Sequence, residues 1–285
     1  MLTNFTITKF DVISSTLAYA RALIIERGCI PNASVIIAYQ QTEGYGQYRR
    51  KWISTRGNIA LTIALYPGVN TRPSITISQI PYLAAIAVGE TVLALASTHT
   101  AIPPEIKINY KWVNDVLLSK RKVAGILVES FQGAILVGVG VNLISSPTLS
   151  DLGTFEKSNA HFYGATSLVA EGVDVEYDTF LILFLDHFEK HYNQWLQYGF
   201  APIRNLWIKH AMYVNEQIRV KSSESVHEGI FIGLDENGAM LLQSTNEKKN
   251  VHSSRGDYEN HQLEIGKHIK KIYSGEILNL SKLKE

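Results

Sequence analysis

Cysteine and net charge are both scarce in this sequence, and each shortage excludes a class of protein. The single cysteine, Cys29, cannot form an intrachain disulfide, which excludes a disulfide-stapled secreted scaffold. With 27 basic and 26 acidic side chains the formal net charge is +1, which argues against coating nucleic acid or membrane through bulk charge. The first residues lack the basic and apolar stretches of a signal peptide. We therefore expect a cytoplasmic globular protein with neither a nucleic-acid nor a membrane partner.

Several familiar catalytic signatures are missing as well. The sequence has no Gly-x-Ser-x-Gly nucleophile elbow and no Cys/His spacing of a structural zinc site. Gly138 and Gly140 are followed neither by a helix-opening glycine nor by Gly-Lys-Ser/Thr, which excludes a Rossmann fingerprint and a Walker A loop. His187 and His191 stand four residues apart on a helix otherwise committed to packing, so we interpret them as structural.

Length and composition are those of a chain with a sizeable core. The 285 residues, 46% of them hydrophobic and 19% charged, suffice for a large domain or for a large domain and a small one. The first 211 residues mix helical and strand periods and form the predicted larger domain. Helices are predicted over 14–28, 80–95 and 179–196, and strands over 33–39, 59–65, 106–112, 123–129 and 134–141, the last two joined by a turn at 132–133.

The most apolar of these segments, residues 80–95, raises the question of a membrane span. Pro81 suits the first turn of a helix, and the apolar residues keep helical spacing around the charged Glu90. We therefore expect an amphipathic helix of the core.

Beyond residue 211 the pattern changes to short strands, which predicts a small β domain over residues 212–285. Strands are expected at 217–221, 229–234 and 239–243, with a turn at 235–238 between the last two and one final strand at 272–280. The polar, aperiodic stretch 244–266 looks like an insertion. About 70 residues is a size at which a small barrel folds.

The loop at residues 41–52 carries residue types suited to a ligand. Its glycines permit close backbone approach, Arg49, Arg50 and Lys51 can hold phosphate, and Trp52 offers a stacking face. The alternative is a solvated surface loop.

Three further segments end or interrupt predicted strands. Residues 111–115 place hydrogen-bonding side chains at the end of a predicted strand, where open α/β sheets tend to bind ligands. The alternative is an ordinary turn, because Asn114-Asp115 is a common turn pair. Lys122 precedes an apolar strand, where it is either a phosphate binder or a sheet-edge charge. The two glycines of 138–142 weaken a strand, which favours a close ligand or packed backbone there.

Together these segments resemble the biotin protein ligases, the biotin–acetyl-CoA-carboxylase ligases. The resemblance runs in order across nearly the whole chain. Residues 15–17 resemble the family's Ser-Thr-Asn start, and residues 41–52 resemble its Gln-x-x-Gly-Arg-Gly-Arg-x-Gly-Arg-x-Trp loop. Three strand segments follow: 111–115 resembles Lys-Trp-Pro-Asn-Asp, 122–129 resembles Lys-x-x-Gly-Ile-Leu-x-Glu, and 138–142 resembles Gly-x-Gly-x-Asn. Residues 217–280, with Gly-Glu-Ile at 275–277, resemble the family's small C-terminal β domain.

The sequence departs from the family pattern at five positions. Tyr45 and Gln47 replace two loop arginines, and Arg49 replaces the later loop glycine. Val113 replaces the proline, and Leu17 replaces the asparagine. The loop changes bear on affinity for the reaction intermediate and on its release more than on the type of reaction.

The resemblance implies an α+β fold of the class II aminoacyl-tRNA-synthetase-like, biotin–lipoate ligase type. A mixed sheet flanked by helices would carry the reaction, and a small SH3-like β barrel would follow it. The implied reaction joins biotin to a lysine of a biotin carboxyl carrier protein domain through biotinyl-5′-AMP, with ATP and biotin as substrates and Mg²⁺ expected. Because little sequence precedes Ser15, we expect the monofunctional type without an N-terminal DNA-binding domain. A homodimer is possible.

Site residues follow from the resemblance position by position. Lys122 and Arg50 are expected to neutralise phosphate charge, and Asp115 to orient the acceptor amine or to hold Mg²⁺. Biotin is expected against Ser15, Thr16, Leu17, Gln41, Gly44, Tyr45, Gly46, Gln47, Lys122 and Gly125, and the nucleotide against Arg50, Trp52, Lys111, Asn114, Lys122 and Asn142. The alternatives are a lipoate or octanoate ligase of the same superfamily and a degenerate biotin-binding protein without turnover.

Overall fold

A seven-stranded sheet forms the centre of the larger domain. The computed structural model describes residues 5–67, 76–98, 106–148, 151, 164–222, 225–244 and 269–278. The strands are β1 (Thr6–Ile13), β2 (Ser34–Gln41), β3 (Ile59–Leu65), β4 (Ile108–Lys111), β5 (Asp115–Leu118), β6 (Arg121–Phe131) and β7 (Ala134–Val141). Their order is β1-β2-β3-β7-β6-β5-β4, with β1 parallel to β2 and the other described neighbours antiparallel. The mixed sheet implied by the resemblance is confirmed.

Helices cover both faces of this sheet. They are α1 (Thr16–Arg27), α2 (Ile80–Thr98), α3 (Tyr177–Tyr198) and α4 (Ala201–Lys209). The α1 helix begins at Ser15, whose hydroxyl caps the Ala18 amide at 3.4 Å, and ends at Gly28, whose φ of +79° suits glycine. Predicted and observed bounds agree within about two residues for α1 and α3, whereas the short α4 is absent from the prediction.

Strand β3 shows how the sheet separates its two cores. Ile59, Leu61, Ile63 and Leu65 point to the face that packs α2 and α3, because successive strand residues alternate in direction. The other face carries the small residues of the 60–64 segment, and there α1 packs with its buried Leu17 side. The side facing α1 also carries the functional cavity described below.

The α2 helix belongs to the core, as predicted, but it is not amphipathic. It was predicted to be amphipathic, yet every residue from Pro81 to Gly89 is buried, since the sheet covers one side and α3 and α4 cover the other. By length and composition the stretch Ile77–Ser97 is apolar enough to cross a membrane, but 78% of the apolar window is buried inside the protein. This is the pattern of a core helix, as predicted.

The C-terminal part forms a second, antiparallel sheet. Its strands are β8 (Gln217–Lys221), β9 (Val226–Leu234), β10 (Met240–Gln243), β11 (Ile269–Ile272) and β12 (Glu276–Leu278), in the order β11-β10-β9-β8-β12. The single final strand predicted at 272–280 is wrong: Gly275, at φ +154°, separates two strands that pair at opposite edges. Within the described residues β11 and β12 do not pair, so the sheet is open where a closed barrel was expected. Apart from Ser244, the predicted insertion at 244–266 lies outside the described residues, and the domain boundary at residue 211 stays a prediction.

A turn of the second sheet docks on the first domain. The carbonyl of Gly238 accepts a hydrogen bond from the Tyr82 hydroxyl at 2.5 Å, and that hydroxyl in turn accepts from Trp112 Nε1 at 3.0 Å. Nearby, the Ser78 hydroxyl donates to the Asn237 carbonyl at 2.7 Å. These contacts fix the second sheet beside the strand that ends at Lys111.

Candidate active site

One cavity of about 240 Å³ brings together almost all of the predicted site residues. It lies on the face of the larger sheet that carries α1, and Gly275 and Glu276 of the second sheet contribute to its wall. Gly44 does not line it, and neither does Arg49, which the composition of the loop suggested for phosphate. The lining residues that were predicted are Ser15, Thr16, Leu17, Gln41, Tyr45, Gly46, Gln47, Arg50, Trp52, Lys111, Asn114, Asp115, Lys122, Gly125 and Asn142.

Three hydrogen-bonding side chains form the polar end of the cavity near α1. Ser15 and Thr16 start that helix, and Gln41 ends the adjacent strand β2. The Gln41 Oε1 atom accepts from the Thr16 amide at 2.8 Å and from the Thr16 hydroxyl at 3.1 Å. The backbone N–H of Gln41 donates to the Ser54 hydroxyl at 3.2 Å, which anchors the backbone at the end of β2. This end therefore offers fixed polar groups to a ligand rather than mobile ones.

The two glycines of β7 are explained by side-chain packing. A Cβ at Gly138 would stand 2.8 Å from a Leu17 methyl, and one at Gly140 would stand 2.4 Å from the Trp52 indole. A Cβ at Gly125 on β6 would also approach that indole, at 3.2 Å. The glycines thus allow the Leu17 and Trp52 side chains to pack closely against the sheet, where they form the apolar floor of the cavity.

Three cations converge at the other end. Lys111 ends β4 and is buried, and its pKa is lowered chiefly by that burial. Lys122 lies on β6 and places Nζ 2.7 Å from Asp115 Oδ1. Arg50 closes the cluster from the loop. Such a concentration of positive charge, only partly balanced by carboxylates, suits a ligand that carries phosphate.

Arg50 is held by a residue that the sequence analysis did not select. Its Nη1 and Nη2 atoms donate to the two carboxylate oxygens of Glu276, at 3.1 and 2.5 Å. This contact raises the pKa of Arg50. The signal was present in the Gly-Glu-Ile motif at 275–277, which was used only to recognise the second domain.

The loop that departs from the family pattern folds as a tight hairpin. Its rungs are the hydrogen bonds from the Gly46 amide to the Arg50 carbonyl and from the Trp52 amide to the Gly44 carbonyl, both at 2.8 Å. The Arg49 guanidinium lies over the Tyr45 ring, 4.3 Å from its centroid. A Cβ at Gly44 would stand 2.8 Å from the Trp52 carbonyl, so Gly44 is needed for closure of the hairpin and its predicted contact with biotin is not supported.

Tyr45 connects the loop to the sheet. Its hydroxyl lies 3.4 Å from Glu129 Oε1, and Glu129 also lies 3.5 Å from Arg21. The tyrosine that replaces a family arginine therefore has local partners of its own, although the loop carries less positive charge.

The two predicted asparagines line the cavity with their amide nitrogens engaged by backbone. Asn114 Nδ2 donates to the Ile126 carbonyl at 2.8 Å, and Asn142 Nδ2 donates to the Thr166 carbonyl at 3.0 Å. These bonds tie the strand ends together. The predicted contact of Asn142 with the nucleotide would have to use the remaining amide hydrogen and Oδ1, and it stays a prediction.

The site fits a cation brought by a nucleotide better than a resident metal. Among the described residues no group of three or more histidine, cysteine or carboxylate side chains is placed to hold a metal ion. The carboxylates lining the cavity, Asp115 and Glu276, already pair with Lys122 and Arg50. Mg²⁺ commonly keeps water and phosphate ligands with one or two carboxylates, so Asp115 suits a single contact to Mg²⁺ bound by ATP.

The histidines of α3 have structural partners. His191 is buried and pairs with Glu90 at 3.0 Å, and His187 Nδ1 lies 3.0 Å from the Thr91 hydroxyl. Both contacts join α3 to α2, which agrees with the structural interpretation of these residues.

Fold and site together define a class of protein. A cavity with an amide-lined end, an apolar floor and a cationic end suits a small organic acid beside a nucleotide. Residues 10–144 match the model of the biotin/lipoate A/B protein ligase family, and residues 213–278 match the model of the biotin protein ligase C-terminal domain.

Named relatives narrow the class further. The chain is 34% identical over 233 residues to a biotin–[acetyl-CoA-carboxylase] ligase of Paracoccus denitrificans, a match covering 79% of this chain and 89% of that protein. It is 30% identical over 251 residues to the bifunctional ligase/repressor BirA of Bacillus spizizenii, covering 86% of this chain and 71% of that one. The chain therefore belongs to the biotin protein ligase family.

Solved structures agree on the fold. The biotin protein ligase from Aquifex aeolicus in complex with biotin and ATP aligns with a TM-score of 0.70 at 21% identity, covering 95% of this chain and 97% of that chain. At this identity the likeness concerns the fold alone.

Proposed function

We propose that this protein attaches biotin to a specific lysine of a biotin carboxyl carrier protein domain in an ATP-dependent reaction through biotinyl-5′-AMP. One observation carries the proposal: a single cavity joins the polar end at Thr16 and Gln41 to the cations Arg50, Lys111 and Lys122. An acid bound at the first end and a nucleotide bound at the second would meet between them.

The polar end suits the ureido ring of biotin. That ring carries a carbonyl acceptor and two N–H donors, which lose their water when they are buried and need partners in the protein. Ser15, Thr16 and Gln41 supply hydroxyl and amide groups for this purpose. The apolar floor of Leu17 and Trp52 suits the fused rings and the chain that leads toward the cations.

The first step forms a mixed anhydride. A carboxylate oxygen of biotin attacks the α-phosphorus of ATP, an O–P bond forms, and pyrophosphate leaves with the electrons of the broken bond. Attack brings two negatively charged groups together, so positive charge at the meeting point stabilises the transition state. Lys122 serves this role best, and Arg50 holds phosphate oxygens through its planar guanidinium.

The second step transfers the biotinyl group. The ε-amine of the acceptor lysine attacks the anhydride carbonyl, an amide forms, AMP leaves, and the amine loses a proton. Asp115, 2.7 Å from Lys122, is the carboxylate suited to orient that amine, or to contact Mg²⁺ brought with ATP. The cation would neutralise phosphate charge. An indole over the sheet and a closed loop hairpin exclude water from an anhydride that water would hydrolyse.

The acceptor is proposed to be the carrier domain of a biotin-dependent carboxylase, as the name of the Paracoccus relative implies for that enzyme. The proposed location is the cytoplasm. A homodimer remains a prediction.

The test is a transfer assay with a choice of acids. The protein is incubated with ATP, Mg²⁺, an apo carrier domain and either labelled biotin or labelled lipoate. Biotin transfer supports the proposal, whereas lipoate transfer in its place would reassign the substrate. Biotin that binds without reaching the carrier lysine would support the degenerate binding protein, which the altered loop at Tyr45 and Gln47 keeps as the second candidate.

A further inference from the structure

Thr62 is a hydroxyl residue in a strand that otherwise contains only apolar residues. Strand β3 reads Ile-Ala-Leu-Thr-Ile-Ala-Leu and is buried along its whole length. Thr62 itself has no exposed surface and does not line the cavity. A valine would fill the same volume without placing a polar group in the core, so the hydroxyl calls for an explanation from its partners.

Two successive hydrogen bonds connect Thr62 to residues that line the cavity. Its hydroxyl donates to Thr16 Oγ1 at 2.8 Å. The Thr16 hydroxyl, with its oxygen accepting from Thr62, donates onward to Gln41 Oε1 at 3.1 Å. Thr16 and Gln41 both line the cavity. Two successive hydrogen bonds, the first of them buried, therefore connect the core strand to the polar end of the site.

These hydrogen bonds fix which way the Gln41 amide faces. The backbone N–H of Thr16 can only donate, so the Gln41 atom 2.8 Å from it must be the oxygen. The Thr16 hydroxyl adds a second donor to the same oxygen. With Oε1 satisfied twice, the amide is held so that Nε2, a donor, is the group left for a ligand.

We propose that Thr62 is a positioning residue for biotin, which holds Gln41 as a donor toward the ureido carbonyl without touching the ligand. The inference rests on the proposed function and deepens it. Without the Thr62 hydroxyl, the Thr16 hydroxyl is free to turn its hydrogen elsewhere, and Gln41 loses part of the restraint on its rotation. The Gln41 side chain must then lose its rotational freedom when biotin binds, and this entropy cost weakens the affinity for biotin.

The experiment compares Thr62→Val with Thr62→Ser and with Thr91→Val. Serine keeps the hydroxyl, and Thr91 is an equally buried threonine on α2 whose hydroxyl bonds the Ala87 carbonyl away from the cavity. We expect Thr62→Val to raise the Kd for biotin by about tenfold, the effect of one hydrogen bond, while Thr62→Ser restores it. The KM for ATP and the kcat at saturating biotin stay unchanged, as does biotin binding by Thr91→Val.

A ligand analogue supplies a second measurement, the preference for biotin over the analogue, which loss of packing alone would not change. In 2-iminobiotin the ureido carbonyl becomes an imine, which is protonated near neutral pH and donates where biotin accepts. The preference for biotin over this analogue should shrink in Thr62→Val, because the fixed donor at Gln41 is what rejects the analogue.

The outcomes separate the two proposals. Wild-type protein that does not bind biotin overturns the proposed function and this inference together. Wild-type binding with equal affinity in Thr62→Val overturns the inference alone, as does a parallel loss of ATP and biotin affinity. If Thr62→Val does not fold, Thr62→Ala removes the same hydroxyl without a branched side chain, and unchanged biotin selectivity in that variant also overturns it.

Discussion

Both carboxylate oxygens of Glu276 in the C-terminal sheet accept hydrogen bonds from the guanidinium of Arg50 in the cavity loop, although 226 positions separate the two residues in the chain. The pair stands where the second sheet meets the cavity, and both side chains are only partly exposed. The C-terminal sheet thereby contributes to the geometry of the phosphate end of the site.

The first prediction concerns this pair. Glu276→Gln should raise the KM for ATP roughly fivefold and leave the Kd for biotin unchanged, because a guanidinium without its carboxylate is less well ordered for phosphate. Steady-state kinetics with varied ATP measures the effect. Glu228→Gln is the matched control, since Glu228 pairs with Arg219 within the same sheet and away from the cavity. A lower KM for ATP would show instead that Glu276 competes with the nucleotide.

Lys122 gives the second prediction. Lys122→Ala should slow adenylate formation by on the order of a hundredfold or more, since it removes charge where negative charge develops. Pyrophosphate exchange in the presence of biotin isolates this step from transfer to the carrier. The control is Lys120→Ala, two residues away in an exposed turn. An exchange rate equal to that of the wild type in Lys122→Ala would reject the assigned role.

The loop hairpin gives the third prediction. Trypsin cuts after Arg49, Arg50 or Lys51. Because Arg50 and Lys51 line the cavity, ligands bound there would contact them and hold the hairpin closed, so we expect biotin with ATP to slow cleavage at these bonds. Mass spectrometry of timed digests measures each bond. Cleavage after Lys209, at the end of α4, is the internal reference. Equal loop cleavage with and without ligands would contradict ligand-linked closure.

The residues that line the cavity could be selected from the sequence more completely than the strands and helices around them, for a physical reason. Loop and strand-end residues such as Lys122 carry chemistry in their own side chains and can be recognised by type and order. Strand β5 was not predicted, because Asn114-Asp115 has the chemistry of a turn and only pairing with β4 and β6 determines the strand. The burial of α2 on all sides depends on α3 and α4, which periodicity within α2 cannot reveal.

Tertiary contacts also account for what the site analysis missed. Glu276 and Thr62 gain their importance from Arg50 and Thr16, which are distant in the chain. The sequence shows Thr62 as the one hydroxyl residue of an apolar strand, but only the structure identifies Thr16 as its hydrogen-bond partner. The glycines of β7 were expected to admit a close ligand or packed backbone, whereas the structure places the Leu17 and Trp52 side chains against them.

The fourth prediction tests this packing. Gly140→Ala places a methyl group 2.4 Å from the Trp52 indole, so the ring must move, at a cost of about 1–3 kcal/mol in stability. Biotin binding should weaken, and the tryptophan fluorescence should change. In the double variant with Trp52→Phe the smaller ring should tolerate the methyl group, so stability losses less than additive are expected in a thermodynamic cycle. Strict additivity would mean that the two residues do not interact.

The last prediction concerns stability at low pH. Glu90 lies on α2 and its pKa is lowered to about 2, first by the hydrogen bond from His191 and also by Lys190, both on α3. A carboxyl with a lowered pKa in the folded state stabilises the protein above its unfolded pKa, near 4.5, and the contribution is lost as pH falls through about 2. Because Glu90 is partly exposed, solvent screening reduces the contribution to about 1 kcal/mol.

Glu90→Gln should therefore be less stable than the wild type at pH 5, and the difference should fade as the pH falls from 4.5 toward 2, where Glu90 becomes protonated and resembles glutamine. Urea unfolding at a series of pH values measures it. Asp186→Asn, an exposed acid on the same helix α3, should show little change over this window. A difference between wild type and Glu90→Gln that stays constant down to pH 2 would mean that the charge of Glu90 does not stabilise the contact between α2 and α3.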